Sequence, residues 1–294
     1  MELKDTYADR QIHEKWESVY RASGYQSDFN DRMMDRIVGL LKPSPESLFL
    51  DAGCGTGDHS ARIGRHGLRC VGVDISETIL DSAREKIARE CLEGRVSFQS
   101  ERLEQLSFPD DHFDFIHCRG VLMHIPDWER ALRELCRVLK PGGKLVLIES
   151  NLSSLEARVV RLVRSVSRRT SNLVETPGGW EFWSDRGGNP FVVRIANVSY
   201  LCTFIATSNM RISSRFATEF WDMNRFPRGL IRNGVIAFNR IWFSLGLPAS
   251  LSVGNAIVAE KLPPLKTSNC SREGETPSEP PDGISGRGFG QFSS

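Results

Sequence analysis

Apolar residues recur at helical spacing over 8–22, where Ile12, Trp16, Val19 and Tyr20 share a side, and again over 31–42, where Met33, Met34, Ile37, Val38, Leu40 and Leu41 precede Pro43 and Pro45. The pattern then shortens and alternates. Brief apolar runs at 47–53, 69–75, 96–98, 113–118 and 144–150 are separated by stretches of helical periodicity. Such alternation predicts an α/β fold, a doubly wound and mostly parallel sheet with helices on both faces. Ser76, with Glu77 behind it, predicts the start of a helix over 77–92, and Asp127 starts one over 128–140. Pro141-Gly142-Gly143 ends the second and returns the chain to the sheet.

After residue 150 the rhythm breaks. Residues 151–192 hold an arginine-rich stretch and then TPGGWEFWSDRGGNPF, too long for an ordinary connection and therefore an insertion with its own role. A helix over 194–208, a strand over 210–217, a mostly helical 219–246 and a strand over 254–262 are expected next. Residues 263–294, rich in proline, serine and glycine and nearly free of aliphatics, read as a disordered tail. The expected division is an N-terminal helical lid over 1–45, a main domain over 46–262 and that tail.

Composition narrows the class. With 40% hydrophobic and 26% charged residues the chain is an ordinary soluble globular sequence, and 38 basic against 37 acidic residues give no general attraction to nucleic acid. Seven cysteines without a C-x-x-C pair imply reduced thiols and a cytoplasmic setting. The polar start excludes a secretory apolar region, and no run approaches the roughly 18 apolar residues of a membrane span. Histidines 13, 59, 66, 112, 117 and 124 never take metal-ligand spacing with cysteines or acids, so no metal is expected.

The candidate chemistry starts at LDAGCGTGDHS, residues 50–60. A dinucleotide loop reads G-x-G-x-x-G, but here Gly53, Gly55 and Gly57 are followed by Asp58, so the third glycine comes one residue early. Asp51, at the end of the preceding strand, would repel a pyrophosphate by several kcal/mol at low effective dielectric. A cationic ligand suits it, and S-adenosylmethionine has a sulfonium, an ammonium and no phosphate. Asp74, about 20 residues past the loop, is placed to accept two ribose hydroxyls with either ligand. No tyrosine has a lysine four residues on, which argues against the common single-domain reductases.

LDAGCGTG, VGVDIS, VSFQSERLEQLSFPDDHFD, FIHCRGVLMHIPD and RVLKPGGKLVLIES, in this order over about 47–150, resemble the class I S-adenosylmethionine-dependent methyltransferases. The likeness is to the small-molecule branch that includes quinone and sterol methylating enzymes. It implies a Rossmann-like seven-stranded sheet of order 3-2-1-4-5-7-6, with AIVAEKL as the antiparallel strand. By the resemblance, Gly53, Cys54, Gly55 and Gly57 wrap the methionine and sugar, Asp51 lies near the amino group, Asp74 takes the ribose hydroxyls and Ile75 flanks the adenine. Cys118 and Arg119 fall beneath the methionine and sulfonium. Where the family has Gly-Asp for the adenine amino group, this chain has Glu101-Arg102, so Glu101 or backbone groups at Arg102 and Leu103 take that contact.

Other residues carry two readings each. His124 in VLMHIPD, or His13, would be a general base, while His124 would equally fix how the next helix begins; His117 reads as packed. Tyr20 and Tyr25 belong to the lid over the substrate. Trp180, Trp183 and Arg186, with Phe182 and Arg194, would face a flat or apolar acceptor bearing an anion, or would staple the insertion down. Residues 155–169 form a basic amphipathic helix, either a peripheral contact with anionic lipid or a cap whose apolar side packs inward. The expected activity is methyl transfer to a lipid, quinone-like or sugar-containing small molecule. Alternatives are nucleic-acid methylation, with RNA before DNA, and a non-catalytic cofactor-binding partner. Against the nucleic-acid reading, Cys118-Arg119-Gly120-Val121 stands where an Asn-Pro-Pro-aromatic motif would, and Asn189-Pro190-Phe191 falls after the fifth strand.

Overall fold

The computed structural model describes residues 24–167, 173–186, 189–227 and 229–264. Strands β1 (Leu48–Ala52), β2 (Arg69–Asp74), β3 (Val96–Ser100), β4 (Phe113–Arg119), β5 (Leu139–Ser150), β9 (Met210–Ala217) and β10 (Gly254–Lys261) form a sheet of order β3-β2-β1-β4-β5-β10-β9. β10 runs antiparallel to both neighbours and the other pairs are parallel, the expected order and direction. Among the described residues seven helices accompany them: α1 (Gly24–Leu41), α2 (Asp58–Arg65), α3 (Glu77–Arg89), α4 (Trp128–Val138), α5 (Leu155–Ser167), α6 (Val198–Thr207) and α7 (Leu230–Ser244).

Strand periodicity sorts the core into two layers. Leu50, Ala52, Leu145, Leu147, Ile257 and Ala259 face one cluster with Leu132, Leu135 and Ile205. Phe49, Val146, Ile148, Ala256 and Val258 face the other, with Met33, Ile37, Ile63 and Phe243. A period of two turns successive side chains to opposite faces, so these continuously apolar strands need helices on both.

Several boundaries differ from the sequence reading. α1 begins at Gly24, and α3 stops at Arg89. Ser76 occupies the N-cap position of α3, yet its hydroxyl makes no cap bond; the Asp127 carboxylate does cap α4, accepting from Arg130 N at 3.3 Å. Pro141-Gly142-Gly143 bulges within β5, whose register jumps from Leu139 opposite Phe113 to Lys144 opposite Phe115, with Gly142 at φ 79°. The mostly helical 219–246 resolves into a short turn at Met223–Arg225 and α7.

The insertion differs most. β6 (Leu173–Thr176), β7 (Gly179–Arg186) and β8 (Asn189–Ala196) form a separate antiparallel sheet that reaches Ala196. The helix expected from 194 therefore starts at Val198, where the Asn197 side chain accepts from Tyr200 N. Val193 and Ile195 pair with Phe182 and Trp180, so strand pairing claims the residues that helical periodicity had absorbed. In α5 the inward-packed cap is not what forms. Glu156 and Ala157 are buried, whereas Leu155, Val159, Leu162 and Val163 are exposed. The expected helix over 8–22 and residues 265–294 lie outside the described residues, and no described helix is long and apolar enough to cross a membrane.

Candidate active site

The loop between β1 and α2 sits at the carboxyl ends of the strands, beside the point where the strand order reverses around β1 and β4. Its three glycines all have positive φ: 71° at Gly53, 53° at Gly55 and 73° at Gly57. A Cβ at Gly53 would lie 2.4 Å from Val121 Cγ2, and one at Gly57 would lie 2.9 Å from the Phe98 ring, so neighbouring side chains already fill that space. The backbone is pinned from β2, because Gly53 N and Cys54 N both donate to Val73 O, at 2.8 and 2.9 Å. Asp74 closes the turn, its two carboxylate oxygens accepting from Gly55 N at 3.0 Å and Ser76 N at 3.1 Å. Around this cradle the hydroxyls of Thr56 and Ser76 are buried without a hydrogen-bond partner.

Beneath the loop lies a polar network that sequence reading did not find. Asp51, 2% exposed, accepts from Ser60 Oγ at 2.6 Å and from His117 Nδ1 at 2.9 Å. His117 is fully packed, as read, and its ring lies 4.8 Å from that of His59. Arg119 Nη1 donates to Asn30 Oδ1 at 2.6 Å and to His59 Nε2 at 3.3 Å, tying α1 to the end of β4. Cys118 is wholly buried, and burial pushes its thiol well above the ordinary range, with the Glu149 and Asp51 charges adding to the effect. That sulfur is an apolar packing group rather than a nucleophile.

Glu101 spends its carboxylate on its own loop. It accepts from Gln99 Nε2 at 3.1 Å, from Ser107 N at 3.2 Å and from the Ser107 hydroxyl. Leu103 is buried in the core beside it, and Arg102 lies 3.7 Å from Glu104.

The other side of the site is built from the insertion. Arg194, 3% exposed, pairs with Glu181 at 2.9 Å and donates from Nη1 to Leu122 O at 2.8 Å and Ile125 O at 3.1 Å, and from Nη2 to Pro126 O at 3.3 Å. One guanidinium thus clamps the three-stranded sheet to the 122–126 turn. His124 in that turn donates from Nδ1 to Val192 O at 3.1 Å and lies 5.3 Å from the Phe191 ring. Glu149, at the end of β5, accepts from Leu122 N at 3.1 Å, and its second oxygen is buried without a partner. Burial pushes its carboxyl up to about 7. Glu149, Arg194, Trp128 and Met123 share a cavity of about 10 Å³, room for about one water.

Residues 50–147 match the family described as "Methyltransferase domain". Over that segment the chain is similar to a methyltransferase domain. Methyltransferase GfsG of Streptomyces halstedii is 35% identical over 124 residues, 42% of this chain and 45% of that protein. The ubiquinone/menaquinone biosynthesis C-methyltransferase UbiE of Vibrio cholerae is 31% identical over 160 residues, 50% of this chain and 61% of that protein. The chain therefore spans about half the length of the curated relatives it matches. The crystal structure of magnesium protoporphyrin IX methyltransferase from Synechocystis with bound SAH shares the fold of the methyltransferase domain, at TM-score 0.58 and 16% identity over 87% of this chain and 97% of that one.

The methyltransferase domain gathers Asp51, Gly53, Cys54, Gly55, Gly57, Asp74 and Ile75 at one loop, with Glu101 joined to it through Glu101 N donating to Asp74 O at 3.0 Å. Trp180 is buried with Arg161 4.5 Å above its ring, so this tryptophan and Arg194 act as staples. Trp183 is half-buried and donates to Glu181 at 3.0 Å. Arg186 ends β7 and Tyr25 lies in the first turn of α1, while His13 and Tyr20 lie outside the described residues. Sequence reasoning missed Asn30, His59 and Glu149, each far in sequence from the group it serves, and Ser60, nine residues from Asp51. The run LVLIES did carry one signal for Glu149, an acid ending a strand that is otherwise buried.

Proposed function

We propose that this chain transfers a methyl group from S-adenosylmethionine to a small-molecule acceptor. The observation that carries the reading is the cradle: three left-handed glycines below two partnerless buried hydroxyls, with the carboxylates of Asp51 and Asp74 at its base and lip. When bound, the cofactor supplies a methyl group on a positively charged sulfur. Backbone at Gly53, Gly55 and Gly57 gives it close approach, and Thr56 and Ser76 supply hydroxyls that lack partners. Asp74, at the end of β2 beside the loop, is placed to accept from the ribose hydroxyls. Asp51, buried beneath the loop and held by Ser60 and His117, acts through its charge. Ile75 and Leu103 flank the adenine, and because Glu101 is engaged the amino group is met by backbone at Arg102 and Leu103.

The ubiquinone/menaquinone activity named for UbiE supports an organic small-molecule acceptor, quinone-like or lipid. Trp183 on β7 borders its place. For a hydroxyl acceptor His124 is the base. Its Nδ1 contact with the Val192 carbonyl fixes the orientation of the ring. Such a base is worth about 10²–10⁴-fold, and an amine or thiolate acceptor needs none.

Titration calorimetry with S-adenosylmethionine tests the cradle. Asp74→Ala is expected to weaken binding about tenfold to a hundredfold, the worth of roughly 1.5–3 kcal/mol for hydrogen bonds to a charged group. Unchanged affinity in that variant overturns the ribose assignment, and no heat with the parent chain overturns the cofactor. Transfer of radiolabelled methyl into an organic extract reads the acceptor class.

A further inference from the structure

Two helices turn apolar residues to solvent where a helix of a soluble domain carries charge. On α5, Leu155, Val159, Leu162 and Val163 take positions i, i+4, i+7 and i+8 and are all exposed. On α7, Leu230, Phe238, Ile241 and Leu245 follow one stripe with Gly234 and Ala237 between them, and Ile231 flanks it. Leu230 is 91% exposed, while Asn239 and Phe243 face inward. The exposed stripe of α7 holds no charged residue.

The two helix segments are rich in arginine, of which Arg225 pairs with Glu156 and Asp222 and Arg240 lies 3.3 Å from Asp28. Segment 155–169 contains five arginines and a single acid, Glu156, which is buried, paired with Arg225 and accepting from Asp222 N at 2.8 Å. Segment 225–245 contains four arginines and no acid. In a chain whose basic residues exceed its acidic ones by one, this is a concentrated cationic field beside apolar faces. The two helices also share a place in the fold. β9 runs parallel to β5, since both are antiparallel to β10, so α5 and the segment leading to α7 leave the sheet at the rim where the glycine loop opens. Glu156 ties α5 to Asp222 and Arg225 in that segment.

We propose that α5 and α7 seat the methyltransferase domain on an anionic lipid surface. Aliphatic and phenyl side chains enter the acyl boundary while arginines stay among the headgroups, the arrangement of an interfacial helix. Pairing of α7 with a second copy would gather arginines from both chains into an interface where segment 225–245 offers no acid to answer them, whereas lipid phosphates and carboxylates do. The proposal stands apart from the methyl-transfer reading, because binding is measured without cofactor or acceptor.

Co-sedimentation of the full chain with vesicles of phosphatidylcholine, with and without phosphatidylserine, tests it. Binding is expected with phosphatidylserine at low salt, and it falls steeply as salt screens the arginines. Phe238→Glu with Ile241→Glu is expected to weaken vesicle binding at least tenfold; because Phe238 also packs on Phe220 and Trp242, Leu230→Glu, at the 91% exposed end of the stripe, is expected to weaken binding with the thermal melt in place. Arg158→Glu, on the exposed side of α5, is expected to weaken it by more than the roughly fivefold that one cation near an anionic surface contributes. No binding to phosphatidylserine vesicles at low salt overturns the proposal, as does binding that the double variant leaves intact. A dimer in sedimentation that Phe238→Glu dissociates, without vesicle binding, assigns the face to a second copy, and RNA binding without vesicle binding assigns the arginines to phosphate backbone; either overturns it.

Discussion

The two halves of the carboxyl rim are held by different means. Around β1, β2 and β4 the cradle is shaped by backbone: left-handed glycines, amide donors onto Val73 O and a carboxylate that caps two amides. Beyond β5 the rim is shaped by buried side-chain ions, with Arg194 holding Glu181 and three carbonyls, and Glu149 holding the turn that carries His124. A backbone cradle tolerates little change in residue size and draws on a single carboxylate, Asp74, to close its turn. An ion-clamped rim keeps its shape only while each charge keeps its partners, so the acceptor side is the more sensitive to protonation.

Arg194→Ala breaks the contrast most directly. It leaves Glu181 buried without its cation, and loss of one partner from a buried pair costs about 3–5 kcal/mol. Chemical denaturation is expected to show that loss, whereas a change below about 1 kcal/mol would mean that the inserted sheet stands without its clamp. Glu149 sharpens the comparison through pH. Its carboxyl binds a proton near pH 7 in the folded chain and near the ordinary value of 4.5 in the unfolded chain, so between these the folded state holds more protons. Stability therefore falls as pH rises through that window, by about 3 kcal/mol in full. Glu149→Gln, still able to accept from Leu122 N, is expected to remove this slope and to be the more stable chain at pH values above the window. Equal stability profiles would show that the carboxyl titrates normally.

The smallest effect belongs to the cradle. Gly53→Ala forces an L-residue into left-handed backbone, at about 1–2 kcal/mol, and meets Val121. Cofactor affinity is expected to drop about tenfold with the global melt little changed, and an unaltered affinity would show that the loop relaxes freely.

Much of the first half was legible in the chain. Alternating apolar runs gave the α/β class and the family resemblance implied the sheet order, while Gly53, Gly55, Gly57 and Asp74 sit together because one turn needs them within a short stretch. The second half was hidden. Val193 and Ile195 fit helical spacing as well as strand alternation, and only pairing with β7 decides between them. Arg194 reads as one arginine among many until Glu181 and the 122–126 carbonyls close around it. The outward apolar face of α5 was equally opaque, since periodicity identifies a stripe and not the side it faces.

Local spacing by itself determined the strands, the glycine loop and the acid at the end of β2, because those features depend on residues close in sequence. Tertiary structure decided where Asp51 spends its charge, which tryptophan is a staple, why Glu149 holds its proton near neutrality and which helix faces meet solvent. Each of these depends on burial and on partners brought together by folding, and a buried charge takes its chemistry from what surrounds it.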